Sequence, residues 1–195
     1  MSATAAAIGL VPVYHPSGLD RPAAYTINPT YNTAIYKGDP VILNANGTVT
    51  VGTAAAALLG VFVGCEYVDS TGKPTYSNYY PASQAVQSGS VITAWVITDL
   101  ETVYEIQAVG QLSATLATAM AFVGDEADIT YVAGTSATGL SACNLNTASM
   151  AGAGSQKQFR IVGFGLAPDN SPTDAYPVLR VTLANSQFRV PTTAI

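Results

Sequence analysis

His15 is the one imidazole in the chain and stands between Tyr14 and Pro16. A single histidine excludes a two-histidine metal site, and Ser-His-Asp chemistry would rest on a residue in a Pro-rich stretch, so a structural or solvent-facing role is expected. Asp125, Glu126 and Asp128 form the densest acidic cluster. Closely spaced oxygen ligands suit calcium, but these lack the calcium-loop repeat, and a solvated turn before the next strand is the plainer reading. Asp99, Glu101 and Glu105 flank another turn. Paired glycosidase carboxylates need a fixed separation, which no spacing here enforces. Cys65 and Cys143 are too few for a structural zinc site. A disulfide between them is open, but two inert core thiols are expected.

No glycine-rich phosphate loop ending in Lys and Ser or Thr is present, and Gly163-Phe164-Gly165 reads as a twisted strand close to another backbone. Asn46-Gly47-Thr48 matches a glycosylation sequon, but its turn role suffices. The expectation is a protein that is not an enzyme, with no cofactor and no metal site. Eleven Tyr and one Trp remain, which suit either a sugar-binding groove or a subunit interface.

Only 10% of the 195 residues are charged against 49% hydrophobic, so small polar and apolar groups must cover the surface. Low charge and abundant aromatics fit a surface partly occupied by neighbours, although a neutral, Thr-rich monomer has the same composition. The net charge of −5 and the scatter of Arg21, Lys37, Lys73, Lys157, Arg160, Arg180 and Arg189 argue against nucleic acid as a partner. No uninterrupted apolar run is long enough to cross a bilayer, so no membrane partner is expected. The apolar start from Ala5 to Val13 lacks a basic leader and is broken by Gly9 and Pro12, which reads as an arm rather than an export signal.

The elements that must position these residues are strands. Residues 1–29 carry Pro12, Pro16, Pro22 and Pro29 and predict an extended N-terminal arm. Val11, Val13, Tyr14, Leu19, Tyr25 and Ile27 within it predict that the arm lies along its own domain or a neighbour. Residues 30–195 predict a single β-domain. Tyr36 to Val51 reads as a hairpin turning at Asn46-Gly47, where Gly supplies a positive φ. Leu58 to Gly64 predicts a strand buried on both faces, continuing to Val68, with Thr75 to Tyr80 as its hairpin partner. Ser90–Thr98 and Val103–Ala108 predict a central pair about the Asp99–Thr102 turn. Leu112, Leu116, Met120 and Val123 have helical spacing and predict at most a short helix. Asp128–Val132, Gly139–Leu145, Gln158–Leu166 and Pro177–Leu183 add strands, and Phe188–Ile195 reads as a tail that leaves the domain. The fold class is all-β, an antiparallel β-sandwich or barrel with an extended N-terminal arm.

Three phrases within Leu19 to Leu183 carry a resemblance: Tyr36 to Leu43, Gly60 to Lys73 and Val103 to Ala108, supported by Tyr79-Tyr80-Pro81-Ala82 and the Pro168-Asp169-Asn170 loop. They resemble the capsid decoration, or cement, proteins of tailed bacteriophages. The resemblance implies a virion structural protein, assembled in the host cytoplasm, on the outer capsid surface. It implies the major capsid protein as partner and self-association as a homotrimer near local three-fold axes. Tyr14, His15, Arg21 and Tyr25 are the expected capsid or subunit contacts, chosen because the arm carries apolar and aromatic groups rather than by matched family positions. Deleting Met1 to Arg21 is then expected to weaken capsid association and leave the β-domain folded. A carbohydrate-binding module recognising a host glycan, or a head-fibre or tail protein, is the alternative.

Overall fold

The computed structural model describes residues 4–152 and 155–189. In chain order the strands are β1 (Val11–Tyr14), β2 (Ala23–Ile27), β3 (Ile35–Tyr36), β4 (Pro40–Leu43), β5 (Val49–Val51), β6 (Gly60–Val68), β7 (Pro74–Ser77) and β8 (Tyr79–Tyr80). They continue with β9 (Ile92–Ile97), β10 (Val103–Val109), β11 (Glu126–Ala127), β12 (Ile129–Thr130), β13 (Asn144–Asn146), β14 (Phe159–Phe164) and β15 (Val178–Leu183). A short α-helix, α1 (Leu116–Met120), is capped by the Thr115 side chain accepting from Thr118 N–H. Its Leu116 and Met120 are exposed, so the helical spacing forms a single surface turn rather than a core helix. Among the described residues no helix is long and apolar enough to cross a membrane.

The fold is all-β and sandwich-like. Sheet I runs β11-β14-β15-β10-β13-β12, with β1 also on β10, and sheet II runs β2-β9-β6-β4-β5, with β7 also on β6. Almost every pairing is antiparallel; β10 with β13 is parallel. A parallel bridge from Thr26 to Thr48 links the first and last strands of sheet II, which therefore curls toward a barrel around Ile27, Val41, Val49, Phe62, Ile92 and Val96. A second core holds sheet I, with Tyr104, Ile106, Phe159, Leu179 and Val181, and takes in Val61 and Ile97 from sheet II. Tyr131 packs against both cores.

The hairpin forms as its residues require. Val41 faces Val51, Ile42 faces Thr50 and Leu43 faces Val49. Gly47 takes the positive φ of 78°, while Asn46 uses its side chain, accepting from Thr48 N–H and Oγ1. The β6–β7 pair also forms, with Cys65 opposite Ser77 and Tyr67 opposite Thr75. The predicted partner strand then breaks at Asn78, and Tyr79 and Tyr80 pair with Tyr36 and Ile35 instead. Tyr36 stacks on Tyr79 and Tyr31 on Tyr80, with ring centroids 5.6 and 6.3 Å apart, so several tyrosines serve the core.

One predicted pair does not form. β9 lies between β2 and β6 in sheet II, whereas β10 pairs with β15 and β1 in sheet I. Residues 99–102 form a crossover between sheets. Glu101 N–H donates to Asp99 Oδ1, Leu100 packs into the sheet I core, and buried Thr102 donates to Asp20.

The N-terminal segment is extended and lies along its own domain, with β1 closing onto β10 and β2 onto β9. Leu10 is 1% exposed, and its N–H donates to Gly38 O. Gly9 has φ 72°, and a Cβ there would lie 2.4 Å from Ser141 Cβ, so the backbone seats where no side chain fits. Gln107 pairs with the segment on two points, donating to Thr4 O and accepting from Ala6 N–H. Deleting Met1 to Arg21 would strip β1 and Leu10 from sheet I, so the expectation that the domain is indifferent to that deletion does not stand.

Candidate functional site

The surface that gathers the predicted contact residues is built on β1 and the turn after it. β1 places Val13 and Tyr14 outward, and Tyr14 is 58% exposed. Ile8 and Leu19 are also exposed, Leu19 at 59%, so four large apolar side chains face solvent along a segment whose Leu10 is locked in the core. Arg21 is exposed. Tyr25 lies on β2 and packs, half-buried, against the sheet II core.

His15 is turned back onto the crossover between the sheets. Its Nε2 lies 2.9 Å from Asp99 Oδ2. Its Nδ1 receives the Ser17 backbone N–H at 3.1 Å and stands 2.7 Å from Ser17 Oγ. A nitrogen that accepts a backbone N–H carries no proton, so the ring proton sits on Nε2 and points at Asp99. The Asp99 carboxyl is held below the usual carboxylate range, first by the Glu101 N–H and further by His15. His15, Asp99 and Glu101 can bring one ligand atom each within 4.8 Å of one another.

Three other acidic residues, Glu105, Glu126 and Asp128, fall into ion pairs. Glu126 and Asp128 are buried, which corrects the reading of them as a solvated turn. Glu126 accepts from Arg160 Nη2 at 2.6 Å and from Lys157 N–H at 2.8 Å, and Asp128 accepts from Lys157 Nζ at 3.0 Å. Their oxygens are thereby committed to protein donors, because a buried carboxylate must be paired. Glu105 pairs with Arg180 at 3.0 Å across the β10–β15 ladder.

Comparison with protein-family models, curated proteins and solved structures finds no match to the chain.

Both cysteines are free and buried, and burial pushes each thiol up to about 12. Cys65 Sγ donates to Tyr79 O and Cys143 Sγ approaches Asp39, whose own carboxyl is raised by burial. A concavity of about 370 Å³ lies along β6, β7 and the start of β9, lined by Glu66, Tyr67, Thr75, Tyr76, Val91 and Thr93 among others. Tyr76 is 70% exposed.

The link from His15 to Asp99 spans 84 residues, and no local spacing announces it. Ser17, which holds the far side of the ring, carried no signal beyond its place two residues on.

Proposed function

We propose that the protein is a non-enzymatic virion component that binds the outer surface of a tailed-phage capsid and cements neighbouring capsomers. The observation that carries this reading is the row of exposed apolar side chains, Ile8, Val13, Tyr14 and Leu19, on a segment whose backbone is fixed to the domain. A preordered apolar surface binds without the entropy cost of ordering a loose tail. The three phrases that resemble the decoration family support the same reading, since they supply β4, β6 and β10, around which both sheets are built.

The mechanism is mass action. A protein that binds only the assembled lattice stabilises it by its binding free energy. Self-association as a trimer near a local three-fold axis would let each unit hold several capsomers at once, which multiplies the effect.

The test is co-sedimentation of the purified protein with empty mature shells of its cognate major capsid protein. The double variant Tyr14→Ser, Leu19→Ser keeps Leu10 and every strand, and is expected to fold normally and lose at least about tenfold in affinity, the equivalent of roughly 1.4 kcal/mol. Unchanged affinity in the folded variant would remove this surface from the account, and no co-sedimentation of the wild type would sink the reading itself. The groove around Tyr76 favours a second reading, a glycan-binding surface, because an exposed aromatic face beside hydroxyl and carboxylate groups suits a sugar. Saturable glycan binding without capsid association would put that reading first.

A further inference from the structure

The N-terminal segment and the inter-sheet crossover meet at three side chains of metal-ligating type. We propose that His15, Asp99 and Glu101 bind one divalent cation of the zinc type, which clips the segment carrying β1 to the crossover.

The spacing is already close to that of a coordination shell. Ligands about 2.1 Å from a metal lie about 3.0 Å apart at a right angle and about 3.4 Å apart at the tetrahedral angle. His15 Nε2 and Asp99 Oδ2 are 2.9 Å apart. Glu101 holds a carboxylate oxygen within 4.8 Å of both, and its side chain is exposed. One imidazole nitrogen and two carboxylate oxygens suit zinc and its first-row neighbours, whereas calcium favours an all-oxygen shell.

Charge points the same way. The ring is neutral when Nδ1 accepts and Nε2 donates, so the cluster holds two carboxylates and no cation of its own. A dication cancels both charges. It takes the place of the Nε2 proton, which moves through solvent to Nδ1, so the imidazole stays neutral and no proton is lost overall. Nδ1–H then donates to Ser17 Oγ, which already stands 2.7 Å away, while the Ser17 N–H turns to water. Asp99 has its matching outer partner in the Glu101 N–H, 2.9 Å from Oδ1, which leaves Oδ2 aimed at the ring. Outer partners of this kind orient the ligands of metal sites.

The experiment is calorimetric titration of ZnCl₂ into untagged full-length protein stripped with EDTA, with Co²⁺ absorption as a direct reading of ligand type. The expected result is one saturable site per chain and a Co²⁺ spectrum of nitrogen and oxygen ligation without thiolate bands. His15→Ala should abolish binding, Asp99→Asn and Glu101→Gln should each weaken it, and Ser17→Ala should weaken it about tenfold as an outer partner. No saturable Zn²⁺ binding by the wild type, or unchanged affinity in His15→Ala, would overturn the site. Should His15→Ala fail to fold, His15→Gln serves in its place, and thiolate bands in wild-type Co²⁺ spectra would move the metal to the cysteines and overturn the proposal equally.

Discussion

Leu10→Ala decides whether the N-terminal segment is part of the domain or an appendage. Leu10 is 1% exposed and belongs to the core that includes Leu58, Val61, Ile97 and Ile106. The substitution removes three carbon groups from that core, worth about 2.4 kcal/mol at roughly 0.8 kcal/mol for each buried methylene. The site cannot close over the loss. The Leu10 N–H is bonded to Gly38 O, Gly38 N–H is bonded to Phe62 O, and Gly9 is wedged against Ser141. A hollow of about 50 Å³ already lies beside Leu10, between Ile8, Val11 and Val63. Enlarging it by a few tens of Å³ adds about 1 kcal/mol, which brings the expected loss to about 3.5 kcal/mol, inside the range for buried Leu→Ala changes. Urea unfolding should show a midpoint lowered by about 1.5–2 M for a slope near 2 kcal/mol/M, and the melting temperature should fall by roughly 7–14 °C. A loss below about 1 kcal/mol would show that residues 4–14 are not integral to sheet I. The same reasoning makes surface variants, not truncations, the proper probes of capsid association.

Gln158 is fully buried and joins the sheets through its side chain. Its Nε2 donates to Thr53 O and Ala56 O, and its Oε1 accepts from Ile129 N–H. Gln158→Leu keeps the volume but removes the side-chain donor from Thr53 O and Ala56 O and leaves the buried Ile129 N–H without its partner, so a loss of about 2–4 kcal/mol is expected in urea unfolding. A loss under about 1 kcal/mol would mean that those groups find other partners. The cysteines predict an alkaline limit. Their folded pKa of about 12 stands above the ordinary 9.0, so the native state holds more protons between those values and stability falls as pH rises from 9 toward 12. The full effect is on the order of 4 kcal/mol per thiol. Both thiols should stay silent to Ellman's reagent at pH 8 until urea is added, and a Cys65→Ala, Cys143→Ala variant should show a shallower alkaline decline. Reactive native thiols, or an identical decline in the variant, would refute the assignment.

What could be read from the sequence was local. Asn46-Gly47 between β-branched runs specifies a hairpin by turn chemistry alone, and β4 and β5 pair about it. Leu58 to Gly64 reads as a strand buried on both faces because its run is uninterrupted by polar residues, and it opens β6, the longest strand described, which continues past the exposed Glu66 to Val68. The failures lie where pairing is a tertiary choice. Ile92–Ile97 and Val103–Val109 have every local mark of a hairpin, but in the crossover Thr102 is buried and Leu100 packs half-buried on the sheet I core, and β2 and β15 supply better edges. The Pro-rich start hid two short strands, because Pro12 lowers strand propensity while edge pairing still tolerates it. Glu126 and Asp128 resembled a solvated turn until Lys157 and Arg160, about thirty residues on, arrived as partners. The site at His15 was illegible for the same reason, since its chemistry begins only when the crossover brings Asp99 and Glu101 beside the segment.

The ion pairs also decide what kind of partner the surface suits. Lys157, Arg160 and Arg180 are spent on Asp128, Glu126 and Glu105, which leaves four of the seven basic residues, Arg21, Lys37, Lys73 and Arg189, outside these three pairs, all of them exposed. These four are distant in sequence and form no run. Polyanion binding depends on grouped cations that release counterions, so internal pairing removes much of what little attraction the composition allowed. The apolar groups behave oppositely. Leu10 and Ile27 anchor the N-terminal segment inward, and Tyr14 and Leu19 are exposed on the backbone between those anchors. A surface poor in cations and supplied with outward apolar side chains on an anchored backbone is suited to another protein's apolar surface rather than to nucleic acid, which is the chemistry that the proposed capsid partner requires.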